Sequence, residues 1–292
     1  QVVIVLGILV WMLAWWLLET VPMAVTSLLP ILLFPVLDIS TMEASCAPYG
    51  DKYVFLFLGG FLMALALEKS QLHKRFSLSL VLITGTNASR IILGFMLSSW
   101  FISMWISNTA TTLMMFQIAL AVANLFHTDE TEHNRSIRNF KLNLFLGIAY
   151  ASSIGGMATL IGTPPNAAAV GILSETFHRH ISFAEWMLYG TPFSLVLLLL
   201  AYYILTTWIF PIRFSKFEKG HAFIQHELQQ LGAFSTSEKR MLKVFCAAVF
   251  LWLSEGIFKS FFPAYPLSDV WVAMAAGVSL FIIKGNNQEP ML

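Results

Sequence analysis

The sequence predicts an all-α protein that crosses a membrane several times, and three observations carry that prediction. Hydrophobic residues make up 57% of the 292-residue chain and charged residues only 11%, whereas soluble domains carry roughly a quarter charged. Mean hydropathy is +0.73. The apolar residues fall in runs close to the ~20 residues that a helix needs to cross a hydrocarbon core of about 30 Å. Other classes drop out on the same composition. A net charge of +1, from 17 Lys+Arg against 16 Asp+Glu, leaves no basic footprint for nucleic acid. Cys46 and Cys246, the two cysteines, form neither a C-x-x-C pair nor a Cys/His cluster, so neither a disulfide framework nor a zinc site is indicated.

Taken in order, spans are predicted at 2–18, 22–37, 53–68, 186–210, 242–262 and 268–284. The first begins at Gln1 without an initiator Met or basic leader, and the last runs into a polar stretch from Gly285 to Glu289. The chain therefore reads as a piece of a longer protein. Flanking charges orient the spans, because short cytoplasmic loops are rich in Lys and Arg. Asp38, Glu43 and Asp51, against Lys52 alone, place the 38–52 loop outside. Lys69, Lys74, Arg75 and Arg90 place 69–90 inside, and Arg135, Arg138 and Lys141 place 127–141 inside despite Asp129, Glu130 and Glu132. Arg213, Lys216, Lys219, Lys239, Arg240 and Lys243 do the same for 211–243. In that loop Phe214, Phe217, Phe223, Ile224 and Leu228, among charges and His221 and His226, permit either an amphipathic helix on the membrane surface or a solvated linker. Glu255 and Lys259 read as an i,i+4 pair snorkelling to the outer interface, with a functional intramembrane pair as the alternative. Glu19, Glu68 and Asp269 fall at span ends and mark interfaces. Trp11, Trp15 and Trp16 form an aromatic belt.

Two apolar stretches are too long for one crossing. Residues 91–126 would reach about 54 Å as one helix, and a polar patch, Ser107-Asn108-Thr109-Ala110-Thr111-Thr112, interrupts them. Both flanks are predicted inside, so the stretch reads as a re-entrant hairpin with its turn at Ser107-Asn108-Thr109. Residues 142–174 carry Gly155-Gly156 and then Gly162-Thr163-Pro164-Pro165-Asn166. Proline removes a backbone donor and pushes its predecessor out of the α region, so the helix should unwind near Gly162 and Thr163 and restart after Pro165. Irregular backbone at membrane depth is tolerated only where it is buried in protein or lines a cavity. Two such breaks in one bundle point to a transporter's binding site.

The residue types at the breaks specify chemistry. Freed carbonyls around Gly162 and the side-chain oxygens of Ser103, Ser107, Asn108 and Thr163 are hard, neutral ligands suited to Na+. Neither motif contains Asp or Glu, which argues against a carboxylate proton relay. Half-helices starting near Ala110 and Asn166 would present N–H groups and positive dipole ends to an anion. The plainer reading is that these hydroxyl and amide groups only hold helices together, and that the Gly-Gly and Pro-Pro pairs only kink a helix.

At these motifs the sequence resembles the divalent anion/sodium symporter family, which carries di- and tricarboxylates and, in some members, sulfate. Ser103-Met104-Trp105-Ile106-Ser107-Asn108-Thr109 is similar to that family's Ser-Asn-Thr hairpin tip, and Ile161-Gly162-Thr163-Pro164-Pro165-Asn166 to its Thr-Pro break, in a spelling closer to bacterial members. Trp16, Glu19, Pro22, Thr26, Leu29-Pro30 and Phe34-Pro35 agree as well, as do Phe57-Leu58-Gly59-Gly60-Phe61, Glu68-Lys69 and Leu72-His73-Lys74-Arg75. The resemblance implies an inverted-repeat, elevator-type fold, here its first repeat plus the start of the second, with a scaffold that dimerises. It implies that Ser103, Ser107, Asn108 and Gly162 hold sodium. Ser107, Asn108 and Thr109 would touch a substrate carboxylate, and Thr163 and Pro164 would line the same cavity. The family's second Ser-Asn-Thr hairpin and second Thr-Pro break have no counterpart after residue 167.

The expected organisation is scaffold helices over 1–90, a transport hairpin and broken helix over 91–175 and a closing helix over 176–210. A cytoplasmic linker or amphipathic helix follows over 211–243, then the first helices of a second repeat over 244–284 and a truncated linker over 285–292. The expected activity is symport of a di- or tricarboxylate with sodium across the cytoplasmic membrane, by a multi-pass homodimer in the lipid bilayer. A proton-coupled, exchanging or sulfate-carrying relative of the same build remains open, as does a membrane scaffold protein. An enzyme is disfavoured, because no span holds a nucleophile/base pair or a metal cluster.

Overall fold

In a computed structural model the described residues form helices joined by turns and unwound segments; they are residues 1–85, 87–125, 133–178, 181–212, 218–261, 268–286 and 289–292, the side chains of 133, 134, 218–221, 257, 259 and 260 excepted. It divides into two compact units, Gln1–Phe55 and Leu56–Leu292.

The first unit opens with α1 (Val2–Leu18), which buries Ile8 and exposes Val2, Val3, Val10, Leu17 and Leu18. The predicted span 22–37 is two helices, α2 (Met23–Thr26) and α3 (Leu29–Val36). Pro22 caps α2 and Pro30 sits in the first turn of α3, where its missing N–H costs nothing and its fixed φ favours a helix start. Thr41 caps α4 (Met42–Cys46), its hydroxyl accepting from the Ala44 N–H at 3.2 Å. A short 3-10 turn, Ala47–Gly50, leads into α5 (Lys52–Lys69), which carries the chain into the second unit.

The second unit is built around the hairpin helices α7 (Ala88–Ser103) and α8 (Asn108–Asn124) and the helix α9 (His133–Gly156). Ile91, Ile92, Phe95 and Met96 of α7 pack with Phe140, Leu144 and Ile148 of α9, all fully buried. The seam is tight: a Cβ on Gly155 would stand 2.2 Å from the Trp100 carbonyl oxygen, so only glycine lets these backbones approach. After a break, α10 (Pro164–Phe177) continues the chain, followed by α11 (Phe183–Tyr203), whose last turns widen to π geometry over Ile204–Ile209.

Two predicted cytoplasmic loops contain helices. The 69–90 segment forms α6 (Leu72–Thr84), turned off α5 by Gln71 at φ 61°. Leu72, Leu78 and Val81 are buried, and Phe76 stacks on Phe101 of α7 at 4.5 Å. Thirteen residues with a basic first turn are too short and polar to register as a span. In the 211–243 segment, α12 (Glu218–Gln230) lies against α6 and α8 with Ile224 buried. The segment thus contains a helix, whose Ile224 is buried against protein; Phe214, Phe217 and the side chain of His221 lie outside the described residues. Helices α13 (Thr236–Phe261) and α14 (Asp269–Ile282) complete the unit.

Arg75 of α6 joins three of these elements. Its guanidinium donates to Glu238 at the start of α13, with Nε to Oε1 at 2.5 Å and Nη2 to Oε2 at 3.3 Å. It also donates to the Leu231 and Gly232 carbonyls after α12, at 3.1 and 3.0 Å, and lies over the Phe234 ring. Burial pushes the Glu238 carboxyl up, but its bonds with Arg75 and Ser235 outweigh this and hold it below the usual carboxylate range. Asp269, the first residue of α14, is 7% exposed and accepts from the Phe183 N–H at 2.9 Å, so it ties α14 to α11. Glu255 is likewise buried and does not snorkel; the side chain of Lys259 lies outside the described residues.

Among the described residues, Met42–Lys69 and Phe183–Ile209 are long and apolar enough to cross a membrane, and Val2–Leu18, Met23–Val36, Ala88–Ser103 and Asp269–Ile282 are shorter apolar stretches.

Candidate functional site

The two sequence breaks form one structure. Between α7 and α8 the chain turns over Met104–Ser107, and Ser107 caps α8, its hydroxyl accepting from the Ala110 N–H at 3.3 Å. The N–H groups of Asn108 and Thr109 are then the first-turn donors without an intrahelical acceptor. The second break is wider than predicted. Helix α9 ends at Gly156 and α10 starts at Pro164, so seven residues, 157–163, are unwound. Helix α10 begins two residues earlier than expected because Pro164 and Pro165 occupy its first turn, where proline is preorganised. That placement changes the electrostatics. The first two positions of α10 carry no N–H, and the Asn166 N–H is bonded to the Thr163 carbonyl at 3.1 Å. The donors expected there for an anion are absent, and α8 is the half-helix that offers them.

The hairpin turn and the unwound segment are laced together (residues 103–108 and 156–166). Ser103 Oγ donates to Asn108 Oδ1 at 2.8 Å. That Oδ1 lies against Gly156, 2.2 Å from where a Cβ would stand. Gly162 approaches the same residue, since a Cβ there would be 2.5 Å from the Gly156 carbonyl oxygen. Thr159, wholly buried, bridges the two motifs: its hydroxyl donates to the Met104 carbonyl and accepts from the Gly162 N–H at 3.0 Å. Asn166 Nδ2 donates to the carbonyls of Gly156 at 2.8 Å and Thr159 at 2.7 Å. From α11, Trp186 Nε1 donates to Met157 O at 3.0 Å and Thr191 Oγ1 to Ala158 O at 3.4 Å. The carbonyls freed from Gly156 to Thr159 are thus held by side chains, and they are not the loose ligands that a bare unwound segment would supply.

The predicted residues sort by depth. Ser103 and Gly162 are buried, Ser107, Asn108 and Thr163 are half-buried, and Thr109 and Pro164 are exposed. Ser103, Asn108 and Gly162 converge on Gly156; Thr163 and Pro164 sit at the start of α10. Every polar group in this cluster is neutral. Among the described residues no group of three or more His, Cys, Asp or Glu is placed to hold a metal ion. Such oxygens suit a weakly held monovalent cation better than a divalent one, which selects charged or soft ligands. Sequence reasoning missed Gly156, Thr159 and Asn166 as the residues that join the breaks, and it missed Trp186 entirely.

Over residues 1–285 the chain matches the family described as the sodium:sulfate symporter transmembrane region. It is 39% identical over 292 residues to a sodium-dependent dicarboxylate transporter, SdcS, of Staphylococcus saprophyticus, covering 98% of this chain and 56% of that protein. It is 38% identical over 290 residues to the SdcS of Staphylococcus aureus strain NCTC 8325, with the same coverage. The chain spans about half the length of these curated relatives.

Proposed function

The chain belongs to the sodium:sulfate symporter family, whose members are multi-pass membrane transporters and not enzymes, and from that premise we propose that it is the amino-terminal repeat of a sodium-coupled di- or tricarboxylate symporter. The observation that carries the proposal is the junction of the two breaks at Asn108. Its Oδ1 accepts from Ser103 Oγ and packs into the space beside Gly156, while its N–H and that of Thr109 start α8 on the more exposed side of the turn. Sodium takes the oxygens of Ser103, Ser107, Asn108 and Gly162. The substrate carboxylate then meets the α8 donors at Ser107, Asn108 and Thr109, next to Thr163 and Pro164.

The coupling follows from that adjacency. A cation behind the turn lowers the electrostatic cost of an anion in front of it, so each raises the affinity of the other by the same factor. The 91–175 region moves against the 1–90 scaffold in a homodimer of the cytoplasmic membrane, and the helices over 244–284 begin the second repeat, which supplies the rest of the substrate site. The relatives' names favour dicarboxylates; the family's description favours sulfate as the second reading.

The test is uptake of labelled succinate, citrate and sulfate into proteoliposomes holding the full-length protein, with and without a sodium gradient, beside Asn108→Ala. Sodium-driven succinate uptake that Asn108→Ala abolishes supports the proposal. Uptake indifferent to sodium overturns the coupling, and sulfate uptake alone moves the substrate to the second reading.

A further inference from the structure

Buried hydroxyls around the hairpin return to main-chain carbonyls, Ser77 Oγ to His73 O at 2.7 Å and Ser99 Oγ to Phe95 O at 2.8 Å, and the half-buried Thr112 Oγ1 does the same to Asn108 O at 2.8 Å. Thr111 and Ser152 depart from this pattern. Both are 0% exposed, and neither Thr111 Oγ1 nor Ser152 Oγ has a hydrogen-bond partner among the described residues. A buried hydroxyl left alone is rare enough to call for an occupant.

The two residues lie at a similar level along the α8–α9 seam. Asn108 meets Gly156 at one end of the α8–α9 seam, and the Phe116 ring meets Phe145 at 4.9 Å farther along it. The helices therefore run antiparallel. Thr111 is one turn beyond Asn108 on α8, and Ser152 is one turn before Gly156 on α9. At 1.5 Å per residue both lie about 4.5–6 Å deeper than the Asn108–Gly156 contact. One hydrogen bond of about 2.8 Å and one ion–oxygen bond together span that distance.

We propose that Thr111 and Ser152 hold an ordered water whose oxygen completes the cation's shell behind Ser103 and Asn108, which makes them positioning residues for sodium. Two hydroxyls supply the polar partners such a water needs, and they accept its hydrogens so that its lone pairs face the cation. A mixed shell of protein and water oxygens holds the ion loosely enough to be released on the far side. The inference rests on the sodium-symport reading above.

Sodium titrations of thermal stability and of succinate uptake, on the full-length protein, test it with Thr111→Val, Ser152→Ala, their combination and Thr111→Ser. Thr111→Val and Ser152→Ala should each raise the half-saturating sodium concentration about tenfold, as loss of an outer partner does at other ion sites. Succinate half-saturation at saturating sodium should stay unchanged. The double variant should cost little more than either single one, since both remove the same water, and Thr111→Ser should keep the wild-type response. Unchanged sodium dependence in both single variants, with a raised melting temperature, overturns the proposal and leaves the hydroxyls as orphaned polar groups. A wild type whose stability and uptake both ignore sodium overturns the symport reading and this inference together, a result that the variants alone do not produce.

Discussion

Asn108 stands on Gly156: the amide oxygen that accepts from Ser103 Oγ at 2.8 Å occupies the space beside Gly156 where any other residue would carry its Cβ. The contact joins the start of α8 to the end of α9, and so links the hairpin turn to the unwound segment. Gly156→Ala should displace the Asn108 amide and break its bond with Ser103 while leaving the α7–α9 seam intact. In proteoliposomes the full-length variant should lose sodium-dependent uptake with little change in melting temperature. Gly155→Ala is the contrasting case. Its Cβ would meet the Trp100 backbone at 2.2 Å, which cannot move aside, so this variant should fail first in stability, by about 1–3 kcal/mol or more.

Thr159 gives a second prediction. Its hydroxyl serves the Met104 carbonyl and the Gly162 N–H, and both are buried. Thr159→Val keeps the shape and strands both backbone groups, at about 1–3 kcal/mol each. Amide hydrogen exchange should quicken over 157–163 and at the 104–107 turn together. Quickening confined to 157–163 would show that the hydroxyl does not join the motifs.

The same residues show what the sequence made legible. Ser107-Asn108-Thr109 was readable because a polar patch interrupts an apolar stretch too long for one crossing, and the Pro-Pro pair was readable because proline cannot continue a helix. Helices α7, α8 and α11 followed within a few residues. Thr159, Asn166 and Trp186 were not readable as partners of the break. Each is one polar residue whose acceptor is a main-chain carbonyl, and a carbonyl leaves no mark in the sequence. Pro164 and Pro165 read as breakers in the sequence, which puts the start of α10 two residues late, although they serve as its first turn. Helix α6 was hidden by its charges: Arg75 reads as a loop residue until Glu238, 163 positions away, is seen to bury it.

Arg75 and Glu238 form a buried pair, with side chains 10% and 5% exposed, whereas Lys74 and Glu227 are 31% and 24% exposed at 3.2 Å. Glu238→Gln should therefore cost about 3–5 kcal/mol, because it leaves the Arg75 charge without its counterion. Glu227→Gln should cost less than about 1 kcal/mol, since water screens that pair. Thermal or denaturant unfolding of the two variants in one detergent checks the ordering, and equal losses would contradict it.

Acid should unfold this region in two steps. Burial lowers the His73 imidazole below its ordinary value of 6.5, against a weaker opposing bond to the Leu67 carbonyl. The folded state therefore binds the proton less well than the unfolded chain, and stability falls as pH drops below about 6.5. Glu238 is held below its ordinary 4.5, so its contribution is present above that value and is lost as pH falls through the lower folded value. Melting temperature followed from pH 8 down to about pH 2 should begin to decline near pH 6.5 and decline again below about pH 4.5. His73→Phe should remove that first decline and keep the second, while Glu238→Gln should flatten the second and keep the first. A first decline that survives His73→Phe would assign it to a different group.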